Sequence, residues 1–190
     1  IPSHVEVKDF YRKSYECREC RKQGQPAILK AAMPQPVIPH SIASPSVVAH
    51  VMMQKYGYAV PLYRQESEWK RIGLAFPRAN LANWIIIATK EWLVPVYDRL
   101  HELLLEEPCL HADETPVQVH NEKGRKNTSK SYMWIYTSTT LNPNQNIRLF
   151  EYAPSRAGNC AETFLNGFQG YLLTDDYSGY HNIKTAGHCL

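Results

Sequence analysis

Long hydrophobic runs are missing from this sequence. No apolar stretch in its 190 residues approaches the roughly 20 needed to cross a bilayer as a helix. The opening IPSHVEVKDFYRKS lacks the apolar core of a secretion signal. Charge of one sign is also scarce: 21 Lys and Arg against 18 Asp and Glu leave a net +3, too mild to establish a nucleic-acid partner alone. Cysteine is sparse and odd in number, five residues scattered from Cys17 to Cys189, which is not a disulfide framework. The eight histidines include no H-x-x-x-H pair, so the usual helical zinc pattern is excluded. These absences predict a reduced, cytoplasmic protein without a membrane partner. An initiating Met and a polar C-terminal tail are missing too, so the chain is expected to be a fragment of something longer.

What is present is an ordinary globular mixture, 44% hydrophobic and 21% charged, enough for one domain or two small ones. Residues 1–30 are polar and basic around Cys17-Arg18-Glu19-Cys20. Residues 31–45 hold Pro34, Pro36, Pro39 and Pro45, with Pro26 just upstream, and read as an extended linker. Ser44-Pro45 is a helix start, a capping hydroxyl followed by proline at the first helical position. That helix runs to about Lys55 and ends near Gly57. Pro61 opens a second helix to about Arg71, with Leu62, Trp69 and Ile72 facing inward, and Gly73 stops it. A third helical pattern spans 78–107 through Leu81, Trp84, Ile85, Ala88, Trp92, Val96, Leu100, Leu103 and Leu104. Pro95 should kink or split it.

After Pro108 the period changes. Residues 109–119, 131–139 and 147–153 read as strands joined by the basic loop 121–130 and by a turn at Asn142-Pro143-Asn144. Pro154-Ser155 opens a helix to about Gly167 with Ala161, Phe164, Leu165 and Phe168 inward. Residues 171–176 form a fourth strand, and a new element starts at Tyr177. The fold class is α+β: a helical N-terminal block, then a mixed sheet in the order β-β-β-α-β. The helix is a crossover, so the fourth strand should run parallel to the first.

That topology gives two acids a meaning. Asp113 interrupts a strand, where Asp is depleted, and Asp175 ends another beside Asp176. Neighbouring carboxylates repel unless a cation lies between them, and hard oxygen donors suit Mg²⁺ or Mn²⁺. Taken singly, Asp175-Asp176 equally describes a turn or helix cap, and Asp113-Glu114 a solvated strand edge.

Five segments together resemble one family. LHADETPV (110–117), SYMWIYTS (131–138) and FEYAPSRAGNCAETFLNGFQGYLLTDDYSGY (150–180) resemble the catalytic domain of the insertion sequence 66 family of bacterial transposases. QKYGYAVPLYRQ (54–65) and NLANW (80–84) look like upstream stretches of that family, in the same order. The resemblance implies a partial RNase H-like fold over 108–190 and a DDE catalytic triad. Asp113 matches the first acid and Asp175 the second, with Asp176 where the family usually has Gly. The third acid, a Glu, falls beyond Leu190. The implied activity is DNA transposition: metal-dependent cleavage and strand transfer at insertion-sequence ends, by an oligomer on duplex DNA in the cytoplasm near the nucleoid. A catalytically dead remnant that only binds DNA is the alternative; the paired LHADET and TDDYSGY motifs argue against a third, a junction resolvase.

Cys17 and Cys20 look like the second half of the family's zinc-binding motif, so 1–30 is read as a partial zinc-ribbon-like segment; His4 and His40 are candidate in-chain substitutes for the missing pair, and metal-free thiols are the favoured alternative in this chain. Residues 46–107 are read as a helical region that contacts DNA through Arg64, Lys70, Arg71 and Arg78, or as a bundle that simply packs. Lys123, Arg125, Lys126 and Lys130 form a second basic patch suited to a DNA backbone, or to a solvated hairpin. Arg156 matches an Arg in the family's PSR stretch. Cys109, Cys160 and Cys189 read as buried or incidental.

Overall fold

The computed structural model describes residues 4–24, 28–139, 146–183 and 187–189. The turn expected at Asn142-Pro143-Asn144 lies outside the described residues. The chain divides into two units, Ile1–Thr89 and Lys90–Leu190.

In the first unit, strands β1 (Ser14–Glu16) and β2 (Ile28–Lys30) pair antiparallel, with Ser14 opposite Lys30, and the short helix α1 (Arg18–Lys22) lies between them in sequence. Sequence periodicity does not reveal these strands, because each has three residues and all six are exposed. Residues 31–44 carry no regular element, as a linker would, yet Ile38 and Ala43 are buried with the helices C-terminal to them. The proline-rich segment therefore contributes to a core as well as joining elements.

Helix α2 (Pro45–Met52) starts as expected: the Ser44 hydroxyl accepts the Val47 amide at 3.3 Å, and Pro45 fills the first turn. One π turn, Met53–Gly57, ends it. Helices α3 (Leu62–Arg71) and α4 (Arg78–Ala88) come next. Val48, Val51, Trp69, Leu81, Trp84, Ile85 and Ala88 form the core of this unit. Phe76 stands edge-to-face between Trp69 and Trp84, with ring centroids 5.3 and 5.1 Å away. Gln65 is buried, its amide donating to the carbonyls of Val51 and Val60. Ile72, expected inside, is exposed. It comes just after the last helical residue, and the chain leaves the helical path toward Gly73, whose φ of 86° an L side chain rarely adopts.

The long helical pattern is interrupted where proline requires it. A π turn at Thr89–Leu93 precedes α5 (Val94–Leu105), with Pro95 in the first turn of α5. The wider turn shifts the phase of the residues beyond it. Counting at 3.6 residues per turn across this break places Trp92 and Val96 inside, and both are more than half exposed.

The second unit contains a five-stranded sheet: β3 (Cys109–Gln118), β4 (Lys130–Ser138), β5 (Arg148–Ala153), β6 (Tyr171–Leu173) and β7 (Gly187–Cys189), in spatial order β5-β4-β3-β6-β7. The meander β3-β4-β5 is antiparallel, and β6 pairs parallel with β3, Leu110 opposite Leu172. Helix α6 (Gly158–Phe164) is the crossover. It starts later than Pro154-Ser155 suggests, because Ser155 spends its hydroxyl on the Ala157 amide and shapes a turn ahead of the helix. Strand β6 stops at Leu173, short of the expected 176; Asp175 instead accepts the Tyr177 amide in a turn. The element after Tyr177 comprises a 3₁₀ turn, Ser178–Tyr180, and the parallel strand β7.

Alternation sets the two faces of this sheet. Leu110, Ala112, Trp134, Tyr136, Leu149, Ala153 and Leu172 join Leu104 of α5 and Ala161 and Phe164 of α6 in one core. Tyr136 stacks on Phe164 at 3.9 Å. So α5 belongs to the sheet's unit, ahead of the division expected at 107/108.

Gly170 makes the parallel pairing possible. A Cβ there would overlap the carbonyls of Pro108 and Glu107, just where the Tyr171 amide donates to Pro108 at 2.9 Å. Gly170→Ala should cost about 1–3 kcal/mol, because backbone atoms must part. An unchanged denaturation midpoint would show that the strand ends have room to separate.

Glu151 shares the inward face with Leu149 and Ala153, and its Oε2 has no hydrogen-bond partner among the described residues. Burial pushes its carboxyl up, partly opposed by His101. A raised carboxyl binds its proton more tightly folded than unfolded, so it costs stability as pH rises above the ordinary glutamate value of about 4.3. Glu151→Gln should therefore raise the melting temperature near neutral pH, and this gain should vanish below about pH 4. Parallel melting curves across that range would count against this if the gain grew on acidification.

Candidate active site

Two positions on from the last parallel rung, β3 and the turn after β6 each carry a carboxylate. His111 pairs with Leu173, so Asp113, farther along β3, and Asp175, in the turn beyond β6, follow the same rung. Asp113 lies on the face opposite Leu110 and Ala112, so it is exposed. Both acids line one open hollow of about 590 Å³, together with His111, Ala112, Ile135, Thr137, Leu173 and Thr174. Asp113 Oδ1 accepts the Glu114 amide at 2.7 Å, and Asp175 Oδ1 accepts the Tyr177 amide at 3.3 Å. Asp176 does not line the hollow; its Oδ1 is 3.4 Å from His181 Nε2.

Next to Asp113, on the other face of β3, is a residue whose importance the sequence conceals. The Glu114 side chain is 1% exposed. Its Oε1 accepts Arg156 Nε at 2.6 Å and Nη2 at 2.5 Å, and its Oε2 accepts the Tyr180 hydroxyl at 2.5 Å. Glu114 is thus no solvated edge. The Arg156 guanidinium also lies 3.8 Å from the Tyr177 ring centroid and 3.9 Å from Asp175 Oδ2. Tyr177 returns its hydroxyl to the Arg156 carbonyl at 2.6 Å. Hydrogen bonding to Glu114 raises the Arg156 pKa further, and burial followed by Glu114 raises that of Tyr180, so both remain donors. Strand alternation was the available signal: Leu110, Ala112 and Glu114 share a face, and an inward carboxylate needs a cation.

As metal donors, Asp113 and Asp175 form an oxygen pair of the kind hard divalent ions accept. Among the described residues, no group of three or more His, Cys, Asp or Glu is gathered to hold a metal. Cys17 and Cys20 are brought close. Cys17 is exposed, and its thiol is lowered by hydrogen bonds from the Cys20 amide, the Cys20 side chain and the Glu19 amide.

The basic loop is less uniform than its sequence suggests. Lys123, Lys126 and Lys130 are exposed. Arg125 is half-buried, 3.3 Å from Glu122 and donating to the Lys130 carbonyl at 3.0 Å, so its guanidinium braces the hairpin. In the first unit, Arg64, Lys70, Arg71 and Arg78 are exposed; Arg64 leans on the Tyr63 ring.

Residues 40–190 match the sequence profile of the transposase IS66 family. Three curated relatives, all from Sinorhizobium fredii (strain NBRC 101917 / NGR234), share much of the chain. Uncharacterized protein y4jD is 28% identical over 96% of this chain and 35% of its own length. Uncharacterized protein y4hP is 26% identical over 98% of this chain and 33% of its own length. Uncharacterized protein y4qI is 27% identical over 86% and 31%. The chain thus spans about a third of the curated relatives it matches. No helix among the described residues is long and apolar enough to cross a membrane. With the profile match covering most of its length, including both paired acids, the chain belongs to the IS66 family of transposases.

Proposed function

We propose that this chain carries two of the acids of a DDE active site, Asp113 and Asp175, within a protein that cleaves and joins DNA at the ends of an insertion sequence. The observation that supports this most is their placement side by side, Asp113 on β3 and Asp175 in the turn that follows the parallel strand β6, both lining one hollow. Mg²⁺ or Mn²⁺ bound there would activate the attacking oxygen and stabilise the leaving oxygen. The chain's own part is to hold two carboxylates at fixed spacing. The exposed Lys123, Lys126 and Lys130 offer salt-sensitive contacts to a DNA backbone, and Arg64 and Arg78 do so on the first unit. Cys17 and Cys20 would supply two ligands of a tetrahedral zinc site. Assembly as an oligomer on DNA, in the cytoplasm, belongs to the same reading.

The test is cleavage and joining of a supercoiled plasmid bearing the element's ends, by the complete gene product with Mn²⁺. Activity should disappear in Asp113→Asn and Asp175→Asn and persist in Asp176→Asn. End binding without any cleavage would identify a DNA-binding remnant.

A further inference from the structure

Buried Glu114 and its partners form a cluster of their own beside the paired acids. Glu114 adjoins Asp113, and everything it holds leads to Asp175. Tyr180, hydrogen-bonded to Glu114, closes the 3₁₀ turn just beyond Asp175. Arg156 reaches Glu114 with two nitrogens and stacks on Tyr177, whose amide binds Asp175. Backbone contact fastens the same turn again: a Cβ on Gly158, the first residue of α6, would overlap the Gly179 backbone. The Asp175 turn is therefore tied to β3 at the residue beside Asp113, across 42 residues through Arg156 and 66 through Tyr180.

We propose that Arg156 and Tyr180 are positioning residues that act through Glu114 to hold Asp175 at metal-sharing distance from Asp113. This rests on the reading of Asp113 and Asp175 as metal donors. The physical argument is one of geometry. Strand β6 ends at Leu173, so among the described residues Asp175 lies beyond the sheet pairing. A loose carboxylate loses metal affinity, because the ion must then order it. Glu114, nearly fully buried, uses both oxygens on Arg156 and Tyr180, so it is a fixed anchor and no spare metal ligand.

The experiment measures Mn²⁺ affinity by electron paramagnetic resonance, together with end cleavage and thermal melting, in the complete gene product. Removing Arg156 alone would strand a buried carboxylate, so the informative variant is Glu114→Gln/Arg156→Gln. It removes one charge of each sign, leaving the net charge beside the metal site unchanged. Tyr180→Phe tests the other arm, and Arg156→Lys keeps the charge but loses the forked contact. A positioning role predicts folded variants whose Mn²⁺ dissociation constant rises about tenfold, as expected for loss of an outer support. Cleavage should then recover in part at high Mn²⁺. Folded variants with unchanged Mn²⁺ affinity would overturn the proposal. Asp113→Asn is the control for the underlying reading: if it keeps full cleavage, that reading fails; if it abolishes cleavage while the Glu114, Arg156 and Tyr180 variants bind Mn²⁺ normally, only the positioning role fails.

Discussion

Asp113→Asn should lower end cleavage and strand transfer by the complete gene product on the order of a thousandfold or more, an increase of about 4 kcal/mol in the barrier. End binding and melting temperature should barely change. The substitution replaces a charged oxygen donor with an amide of the same shape. An asparagine oxygen can still accept the Glu114 amide that Asp113 Oδ1 accepts at 2.7 Å, so the local backbone keeps its partner. Asp113 is on the exposed face of β3, where such a change ordinarily alters stability by less than about 0.5 kcal/mol. Losing a negative charge also removes repulsion of phosphate, so DNA affinity should hold or rise slightly. Gel-shift, melting and cleavage measurements on one preparation separate these effects. Parallel loss of binding, melting temperature and cleavage would assign Asp113 a structural role, and the catalytic reading would fall.

The sheet was legible because its signals are local. Aromatic and β-branched runs mark β4, and the single crossover helix requires a parallel β3–β6 pair, which the register Leu110–Leu172 bears out. The apolar positions around α6 were legible for the same reason: Ala161 and Phe164 within it and Leu165 and Phe168 just beyond it are all buried, although the helix stops at Phe164, short of the expected Gly167. The supports of the Asp175 turn were not legible. Glu114 meets Arg156 and Tyr180 through folding contacts 42 and 66 residues apart, and no periodicity records such a meeting. Phase errors had a different origin. Trp92 and Val96 lie in or after a π turn, so counting at 3.6 residues per turn put them on the wrong face. Short elements escaped because three residues cannot show alternation, as in β1, β2 and β7.

Trp134→Ala should be among the most destabilising single changes in the second unit, costing about 3–5 kcal/mol. Trp134 is fully buried at the middle of β4, which lies between β3 and β5. Its backbone neighbours are Glu114 on β3 and Glu151 on β5, both on the inward face. The indole therefore fills the space between two carboxylates, and removing it leaves a cavity with an acid on either side. Water entering that cavity would recover little of the lost contact energy, and the carboxylates would repel across it. The same indole stands edge-to-face to Tyr180 at 5.7 Å, so the cavity also loosens the turn that carries Asp175. Trp134→Phe is the informative partner. The indole Nε1 makes no hydrogen bond to the described residues, so phenylalanine forfeits volume alone and should lose less than half as much stability. Chemical denaturation of both variants tests this. Equal losses for Phe and Ala would mean that the nitrogen holds a bridging water, and that this part of the core is a polar network.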